Sequence, residues 1–309
     1  MHGAYRDVMY IDPAYAETLA HVGLNTVENV LNCAGDRLSA WSRTTDTVQV
    51  HLSGGASLFI KRYHYPRWRN RIKGMFRGTF FGLSRVRSEY RALATMRGLG
   101  IHAVRPVAYG ERRRWHFLRS SFLITEAVPG AVSLATYAQQ YGNGNPSART
   151  FRQRQEALTV LARQVRHMHD QGVVHGDLFL RNIMIRVLGQ QGCEFYFIDA
   201  GLGRRMWGKA RRRRHIIDDL AGLMAVAPTF CSRTDLVRFA KTYLSLDRLD
   251  RSAAAWMASV ADRSRAYRRH EALRLRYNDV FNRYLRNLER LERAPGPSGE
   301  AGHSRWVGR

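Results

Sequence analysis

The chain has 309 residues, 45% of them hydrophobic, which is enough for one large or two small domains and argues against disorder throughout. Fifty Lys and Arg against 25 Asp and Glu leave a net charge of +25, which favours an anionic partner such as nucleic acid, phosphate or an acidic membrane. Three cysteines lie far apart without a CxxC pair, which argues against a zinc ribbon and a secreted disulfide scaffold. No secretory signal or membrane-spanning apolar stretch is recognisable, so we expect a cytoplasmic protein with at most peripheral membrane contact.

Strand and turn patterns dominate the first part of the chain. Two alternating runs around a glycine-containing turn predict a β-hairpin over residues 47–63. A helical pattern follows over 88–99, and two further strands are predicted over 103–109 and 115–127. We therefore predict a sheet-rich N-lobe over residues 1–128 that begins with a helical extension.

The remainder of the chain is mainly helical in pattern. Apolar residues recur at helical spacing over 158–168 and again near the C-terminal end. Between these helices, two short strands are predicted over 182–187 and 194–199. We predict a mainly helical C-lobe over residues 129–292 and a disordered tail over 293–309. This organisation is an α+β fold with a cleft between two lobes, and such clefts are common ligand sites.

The residues that carry chemistry follow one of the predicted helices. The segment from His175 to Asn182 has the pattern HxDxxxxN, and the next apolar strand ends at Asp199 in a DxG sequence. Phosphoryl transfer needs a carboxylate that orients the acceptor hydroxyl, and an amide oxygen and second carboxylate that hold Mg²⁺ against the phosphates. Upstream, Lys61 lies on a predicted strand and Glu89 on the next predicted helix. A lysine held by a glutamate in this way can reach the phosphates of a nucleotide.

With these residues the chain resembles the protein-kinase-like superfamily and, more narrowly, the lipopolysaccharide kinase family, whose members act on Kdo or inner-core heptose sugars. The narrower resemblance covers about residues 20–225 and rests on segments 58–63, 84–90, 99–106 and 175–182. It implies a bilobal, protein-kinase-like α+β fold. It also implies transfer of the γ-phosphate of ATP, with Mg²⁺, to a sugar hydroxyl of an anionic glycolipid, the lipopolysaccharide inner core.

The resemblance assigns roles to individual residues of the cleft. Asp177 is expected to orient and help deprotonate the acceptor hydroxyl, while Asn182 and Asp199 are expected to bind magnesium. Lys61 is expected to engage ATP and Glu89 to position Lys61.

Further residues are expected to support the site. Glu126 to Val128 would form the hinge that faces the adenine, mainly through backbone groups. His175 would be a scaffold residue, and Asp219 would brace the catalytic loop, with Asp218 as a close competitor for this role.

Several positions depart from the kinase pattern. No GxGxxG loop is present, and we place any phosphate-covering loop at residues 42–46. Phe59 is expected to point into the same cleft as the lysine two residues later, where it would stack on the adenine or partly block it. Phe179 stands where protein kinases commonly carry lysine, and Gly176 where they carry arginine, so an ordinary Ser/Thr kinase is disfavoured. Arg181 is expected to be a structural ion-pair residue, with direct phosphate contact as the alternative.

Two basic runs point to an anionic acceptor or surface. The first, over residues 62–87, interleaves Arg and Lys with aromatic residues, which suits the headgroup zone of an anionic bilayer and also stacking on single-stranded RNA. The second, over 204–214, follows the DxG sequence, where kinases place the segment that meets the acceptor. Because only four of the basic residues are lysine, coding composition is an alternative source of part of the charge. We favour a peripheral site on the inner face of the inner membrane over nucleic-acid binding.

Two other functions remain open at this point. One is an atypical protein or small-molecule kinase of the Bud32 or RIO type, which shares a similar catalytic loop and a reduced helical lobe. The other is a non-catalytic, kinase-like binding module on membrane or RNA, which the missing glycine-rich loop and Phe59 would permit.

Overall fold

A computed structural model describes residues 5–42, 45–65, 84–115, 117–141, 148–201, 203–206 and 208–293. The chain divides into two compact units, one that ends at Arg268 and one that begins at Arg269. The first unit contains the sheet-rich region, the helical region and all the candidate site residues. Of the second unit, the structure describes the end of one long helix.

An antiparallel sheet of six strands forms the N-terminal region. Its strands are β1 (Tyr5–Ile11), β2 (Asp36–Ser42), β3 (Thr45–His51), β4 (Ser57–His64), β5 (Pro106–Arg114) and β6 (Phe117–Glu126), in the spatial order β1-β5-β6-β4-β3-β2. The predicted hairpin is β3 and β4, and Thr47 pairs with Lys61 across it. The predicted helical extension also contains the strand β1, which pairs with β5 at the edge of the sheet.

Helices cover both faces of this sheet. On one face lie α1 (Ala16–His21) and α2 (Val27–Asn32), which pack against Leu58 and Ile60 of β4. On the other face lies α3 (Arg85–Gly98), whose Leu93 and Met96 are fully buried. Side chains alternate along a strand, so Phe59, Lys61 and Tyr63 share the face of the sheet opposite to Leu58 and Ile60. This alternation aims the lysine at α3 and the cleft.

The C-terminal region is mainly helical, as the sequence predicts. Its helices are α4 (Leu134–Tyr141), α5 (Ala148–Asp170), α6 (Lys209–Val226), α7 (Arg233–Leu244) and α8 (Arg251–Arg293). Short strands β7 (Ala131–Ser133), β9 (Ile183–Val187) and β10 (Cys193–Phe197) form one small sheet, and β8 (Val173–Val174) pairs with β11 (Arg204–Arg205). Among the described residues, no helix is long and apolar enough to cross a bilayer.

The two regions join through the backbone beside the cleft. Val104 donates its N–H to the carbonyl of Phe197, and Phe197 donates to the carbonyl of His102. Phe197 is fully buried in the larger apolar core, which also contains Leu93 of α3 and Val165 of α5. Because this core runs from α3 into the helical region, it fixes the end of β10 beneath the sheet. The residue that follows this strand by two positions is Asp199.

Candidate active site

Lys61 and Asp199 meet across the cleft. The Nζ atom of Lys61 lies 2.6 Å from Oδ1 of Asp199 and 3.8 Å from Oε1 of Glu89. Burial opposes the charge of Lys61, but the two carboxylates outweigh it and raise the pKa of the ammonium. The structure therefore brings together the strand lysine, the helix glutamate and the second acid that the sequence singles out.

Glu89 is the most deeply buried carboxylate of this cluster, with a residue exposure of 2%. Burial raises its pKa to about 7, because desolvation outweighs the attraction of Lys61. Asp199 behaves in the opposite way, since burial is outweighed by Lys61 and Arg85 and its pKa is lowered. Burial therefore opposes ionisation of one carboxylate beside the lysine, whereas the positive charges favour ionisation of the other.

Arg85 is a further residue of the site, and its role was not predicted from the sequence. It is the first residue of α3, and its Nη2 lies 3.7 Å from Oδ1 of Asp199. Its guanidinium also lies over the ring of Tyr63, 5.2 Å from the ring centre. The only sequence signal for this role is its position four residues before Glu89, one helical turn away on the same face.

One buried carboxylate holds the start of the catalytic loop. Asp219 of α6 accepts hydrogen bonds from the backbone N–H groups of His175, at 2.7 Å, and Gly176, at 2.8 Å. Its Oδ2 also lies 3.3 Å from Nε2 of His169, whose Nδ1 accepts from the Tyr243 hydroxyl at 2.8 Å. The neighbouring Asp218 points elsewhere and pairs with Arg263 of α8 at 2.6 Å. Of the two competing aspartates, Asp219 thus contacts the catalytic loop.

The imidazole of His175 links that loop to the strand that carries Asp199. Its Nε2 donates to the carbonyl of Ile198 at 3.0 Å, and its Nδ1 accepts from the Asp177 N–H at 3.3 Å. The ring is fully buried, and burial lowers its pKa. A neutral imidazole has one donor and one acceptor nitrogen, which matches these two bonds. The position of His175 is that of a scaffold residue between the two acids.

Asp177 and Asn182 are tied together inside the catalytic loop. The Nδ2 atom of Asn182 donates to the backbone carbonyl of Asp177 at 2.8 Å and to its Oδ2 at 2.9 Å. The Asn182 carbonyl accepts from the Ile198 N–H at 3.0 Å. Arg181 also contacts Asp177, with Nη2 lying 3.2 Å from each carboxylate oxygen. The loop and the second acid therefore share one hydrogen-bonded unit.

The backbone conformation of Asp199 is unusual for a residue other than glycine. Its φ is +57°, in the left-handed region that L-residues with side chains adopt at a cost of about 1–2 kcal/mol. Asparagine and aspartate tolerate this region best. The strained residue is also the one whose carboxylate meets Lys61, which is typical of a functional position.

The donor set suits a hard cation. Both hydrogen bonds of the Asn182 amide nitrogen are directed at Asp177, so its Oδ1 is the side-chain atom left to bind a ligand. Mg²⁺ prefers oxygen ligands and is bound by few protein groups together with substrate phosphates. No cluster of three or more His, Cys, Asp or Glu groups spaced for a metal occurs in the described part of the chain. An asparagine and aspartate pair that shares its ion with a nucleotide fits this arrangement.

Two further polar atoms of the cleft face no partner. Within the residues that the structure describes, the Tyr63 hydroxyl and Oε2 of Glu89 are buried without a hydrogen bond. Buried polar groups are normally paired, so such atoms mark a place where a polar ligand or water belongs. Both lie beside Lys61, where a nucleotide phosphate is expected.

Glu126 and Val128 lie where β6 passes into the C-terminal region. The Glu126 N–H donates to the Arg105 carbonyl, and the Ala127 N–H donates to the Ser57 carbonyl. Val128 is half-buried and packs on the larger core. The segment lies at the junction between the two regions, where a hinge is expected. Its contact with adenine stays a prediction.

The predicted phosphate loop, residues 42–46, includes the last residue of β2 and the first two of β3, and residues 43 and 44 fall outside the described residues. Asp46 at its end is buried and pairs with Arg62, whose Nε lies 2.9 Å from Oδ2. Arg62 also donates to the carbonyls of Leu31 and Cys33, so it ties α2 to the sheet. This arginine therefore does not belong to an exposed basic surface. Most of that first basic run, residues 66–83, lies outside the described residues.

Comparison with known proteins agrees with this geometry. A family model described as lipopolysaccharide kinase (Kdo/WaaP) family matches residues 28–243. A lipopolysaccharide core heptose(I) kinase WaaP from Pseudomonas aeruginosa is 27% identical over 234 residues, which cover 74% of this chain and 84% of that protein. A WaaP from Escherichia coli is 26% identical over 208 residues, which cover 65% of this chain and 75% of that protein.

A solved structure of WaaP in complex with acyl carrier protein has a similar fold. The TM-score is 0.61 at 20% sequence identity, with 84% of this chain and 98% of that chain covered. The predicted α+β, bilobal, protein-kinase-like fold is therefore confirmed, and so is the predicted family. The chain belongs to the lipopolysaccharide kinase (Kdo/WaaP) family.

Proposed function

We propose that this chain transfers the γ-phosphate of ATP to a heptose hydroxyl of the lipopolysaccharide inner core. Its family makes it a phosphotransferase with an alcohol group as acceptor. The observation that carries the proposal is the 2.6 Å contact between Lys61 and Asp199, beside Glu89 and a catalytic loop with the pattern HxDxxxxN. The heptose is favoured over Kdo because the matching relatives are named heptose(I) kinases.

Each residue of the cleft has a part in this reaction. Asp177 accepts a hydrogen bond from the acceptor hydroxyl and takes up its proton as the oxygen attacks the γ-phosphorus. Lys61 binds nucleotide phosphates, with Glu89 as its buried partner. Asn182 and Asp199 would hold Mg²⁺, which when bound neutralises charge on the phosphates. Positioning and charge stabilisation supply most of the rate enhancement in such a site.

Replacement of the catalytic carboxylate tests this function. We expect Asp177→Asn to lower kcat at least about 10³-fold, because the hydroxyl loses its proton acceptor. Stabilisation of the protein by ATP with Mg²⁺ in thermal denaturation should persist. Asp170→Asn is the matched control, since Asp170 is an exposed carboxylate that pairs with Arg166.

The acceptor is identified by comparing three substrates under the same conditions. Phosphate incorporation into unphosphorylated heptose-containing inner core should exceed incorporation into a Kdo-terminated core and into protein. Preferred phosphorylation of protein would instead favour an atypical protein kinase. No transfer and no stabilisation by nucleotide would favour a non-catalytic binding module.

The second basic run supports a peripheral position on an anionic membrane. Lys209, Arg211, Arg213 and Arg214 are exposed in the first two turns of α6. Positive charge is unfavourable at a helix N-terminus, so the cluster is better explained by an anionic surface than by helix stability. We expect binding to phosphatidylglycerol vesicles, but not to phosphatidylcholine vesicles, and weaker binding when the three arginines are changed to Gln. Equal binding to both kinds of vesicle would contradict this location.

An acyl carrier protein is a candidate partner, because the solved relative is in complex with one. An apolar cavity of about 170 Å³ lies in the helical region and is lined by residues of α5 to α8, among them Leu161, Leu223, Phe239 and Trp256. An acyl group would bury its chain there. Gel filtration should detect a complex with acylated carrier protein that is weakened by Leu223→Trp, which fills the cavity. An equally tight complex with unacylated carrier protein would rule out this use of the cavity.

A further inference from the structure

Among the residues that the structure describes, two cations contact Asp199, and Arg85 is the more exposed of them. Its Nη2 lies 3.7 Å from Oδ1 of this carboxylate, whereas Nζ of Lys61 lies 2.6 Å from the same atom. The Arg85 side chain is 54% exposed and the Lys61 side chain 21% exposed. A separation of 3.7 Å is longer than a hydrogen bond, so the lysine is the closer partner of Asp199 and the arginine the looser one.

Tyr63 and Gly201 keep the guanidinium at the cleft. The guanidinium carbon of Arg85 lies 5.2 Å from the centre of the buried Tyr63 ring, and Nζ of Lys61 lies 5.5 Å from the same centre. Gly201 of the DxG sequence also approaches Arg85, because a Cβ at this glycine would lie 3.5 Å from its Nε. A cation held over an aromatic ring loses less freedom when it binds an anion than a mobile side chain does. The exposed arginine is therefore already placed beside Asp199.

Helix stability does not account for a positive charge at this position. Arg85 is the first residue of α3, and the first turn of this helix contains no acidic residue. The hydroxyl of the preceding Ser84 accepts a hydrogen bond from the Arg87 N–H at 3.3 Å, so the helix has a cap of its own. The partial positive charge of a helix N-terminus disfavours a cation and favours an anion. A negatively charged ligand that binds Arg85 would interact favourably with both the arginine and the start of the helix.

The chain lacks the glycine-rich loop that covers the nucleotide phosphates in protein kinases. Because no GxGxxG sequence precedes Lys61, phosphate oxygens need other hydrogen-bond donors. Arginine presents a planar fork of N–H groups that suits phosphate oxygens. Asp199 is expected to bind Mg²⁺, and the metal ions of kinases bridge β- and γ-phosphate oxygens. A cation next to Asp199 is therefore near these two phosphates when ATP is bound.

We propose that Arg85 is a nucleotide-binding residue that donates hydrogen bonds to the β- and γ-phosphates of ATP. This inference rests on the proposed use of ATP by the chain. When the nucleotide binds, the guanidinium exchanges its 3.7 Å contact with Asp199 for contacts with phosphate oxygens. The arginine at the start of α3 thereby supplies donors that a glycine-rich loop supplies in protein kinases.

Binding of nucleotides that differ in phosphate number tests this role. We expect Arg85→Gln to raise the Kd of ATP with Mg²⁺ at least about tenfold, because hydrogen bonds between charged groups are lost. The Kd of AMP, which has no β- or γ-phosphate, should change less than about twofold. Isothermal titration calorimetry measures both values. Arg91→Gln is the matched control and should bind ATP like the wild type, because Arg91 is an exposed arginine of the same helix outside the contacts of Asp199.

Removal of the divalent ion separates a direct contact from an effect through Asp199. If Arg85 acted only by placing Asp199 for Mg²⁺, the difference between Arg85→Gln and the wild type would disappear in EDTA. A direct contact predicts that the variant still binds ATP at least about fivefold more weakly than the wild type in EDTA. A difference that vanishes in EDTA would overturn the proposal.

The binding measurements do not depend on the acceptor. If Arg85→Gln binds ATP within about twofold of the wild type, or loses ATP and AMP binding alike, the role of Arg85 is wrong, while transfer to the inner core can still be observed. If the wild-type chain phosphorylates no inner-core sugar but binds ATP through Arg85, the proposed function fails and this inference stands. Should Arg85→Gln not fold, Arg85→Met decides, because it keeps an apolar side chain over the Tyr63 ring. Wild-type affinity of that variant for ATP would contradict the proposal.

Discussion

The two halves of the active site are held together by different physical means. In the helical half, two backbone N–H groups of the catalytic loop donate hydrogen bonds to the buried carboxylate of Asp219. In the sheet half, Lys61 is held by side-chain charges, those of Asp199 and Glu89, which come from two separate segments of the chain. Hydrogen bonds from backbone groups hold the start of the catalytic loop, whereas ion pairs hold Lys61.

Because of this difference, we expect the two halves to respond differently to pH and to bound ligands. The backbone amides that bind Asp219 do not titrate and have fixed directions, so we expect the loop that carries Asp177 to depend less on ligands than the sheet half does. A buried ion pair depends on the balance between desolvation and attraction, and a bound phosphate or cation alters that balance. We therefore expect nucleotide binding to rearrange the sheet half more than the helical half. Substitutions in each half test this difference.

The largest effect is expected at Asp219. Asp219→Ala leaves the N–H groups of His175 and Gly176 and the Nε2 of His169 without their acceptor. Each unpaired buried group costs about 1–3 kcal/mol, so we expect at least about 3 kcal/mol of lost stability. Displacement of the loop should also lower kcat about 10²-fold. Urea denaturation and steady-state kinetics measure the two effects.

Asp218 provides the adjacent control for that substitution. It pairs with Arg263, whose side chain is 45% exposed, so Asp218→Ala should cost less than about 1 kcal/mol and leave kcat near wild type. Equal losses of stability and kcat in the two variants would show that Asp219 does not hold the loop.

Local motifs made the helical half predictable from the sequence. His175, Asp177 and Asn182 lie within eight residues, and the strand that leads to Asp199 follows at once, so spacing alone brings them together. The chemistry of each residue type then suggests its role. The alternating pattern of β4 likewise places Lys61 opposite to Leu58, on the cleft side of the sheet.

Contacts between distant segments could not be predicted from local sequence patterns. The strand β1 was missed because its side chains are mostly exposed and show no alternation, and because its partner β5 lies about a hundred residues away. The approach of Arg85 to Asp199 joins residues more than a hundred positions apart. Periodicity describes one segment at a time and carries no information on such pairings.

An intermediate effect is expected where α6 meets the catalytic loop. A Cβ on Gly222 would lie 2.5 Å from the carbonyl oxygen of Leu178, so Gly222→Ala must push the helix away from the loop. Overpacking of this kind costs about 1–3 kcal/mol. The displaced Asp219 should lower kcat about tenfold, and thermal denaturation with kinetics at saturating ATP would measure both changes.

A second helical glycine serves as the control for that variant. Gly98 is exposed at the end of α3, and a Cβ there would meet nothing within 4 Å. Gly98→Ala should therefore raise stability by up to about 1 kcal/mol through helix propensity, with kcat unchanged. If Gly222→Ala behaved in the same way, the helix and the loop would not be in tight contact.

The effect expected in the sheet half is visible only as a pH dependence. Burial raises the pKa of Glu89 from its ordinary 4.5 to about 7, so between these values the unfolded chain has lost a proton that the folded chain keeps. The stability contributed by protonated Glu89 is complete below pH 4.5 and is lost as the pH rises through about 7. The free energy of unfolding of the wild type, minus that of Glu89→Gln, should therefore fall as the pH rises from 5 to 8.

Subtracting the value for Glu89→Gln separates the titration of Glu89 from that of neighbouring groups. The lowered pKa of His175 acts with the opposite sign, since a buried neutral imidazole loses stability as pH falls, but both proteins contain it and the contribution cancels. The lowered pKa of Asp199 acts below pH 3.8, outside the range. Thermal denaturation without nucleotide at pH 5, 6, 7 and 8 makes the measurement. A constant difference across these pH values would mean that Glu89 does not titrate between pH 5 and pH 8.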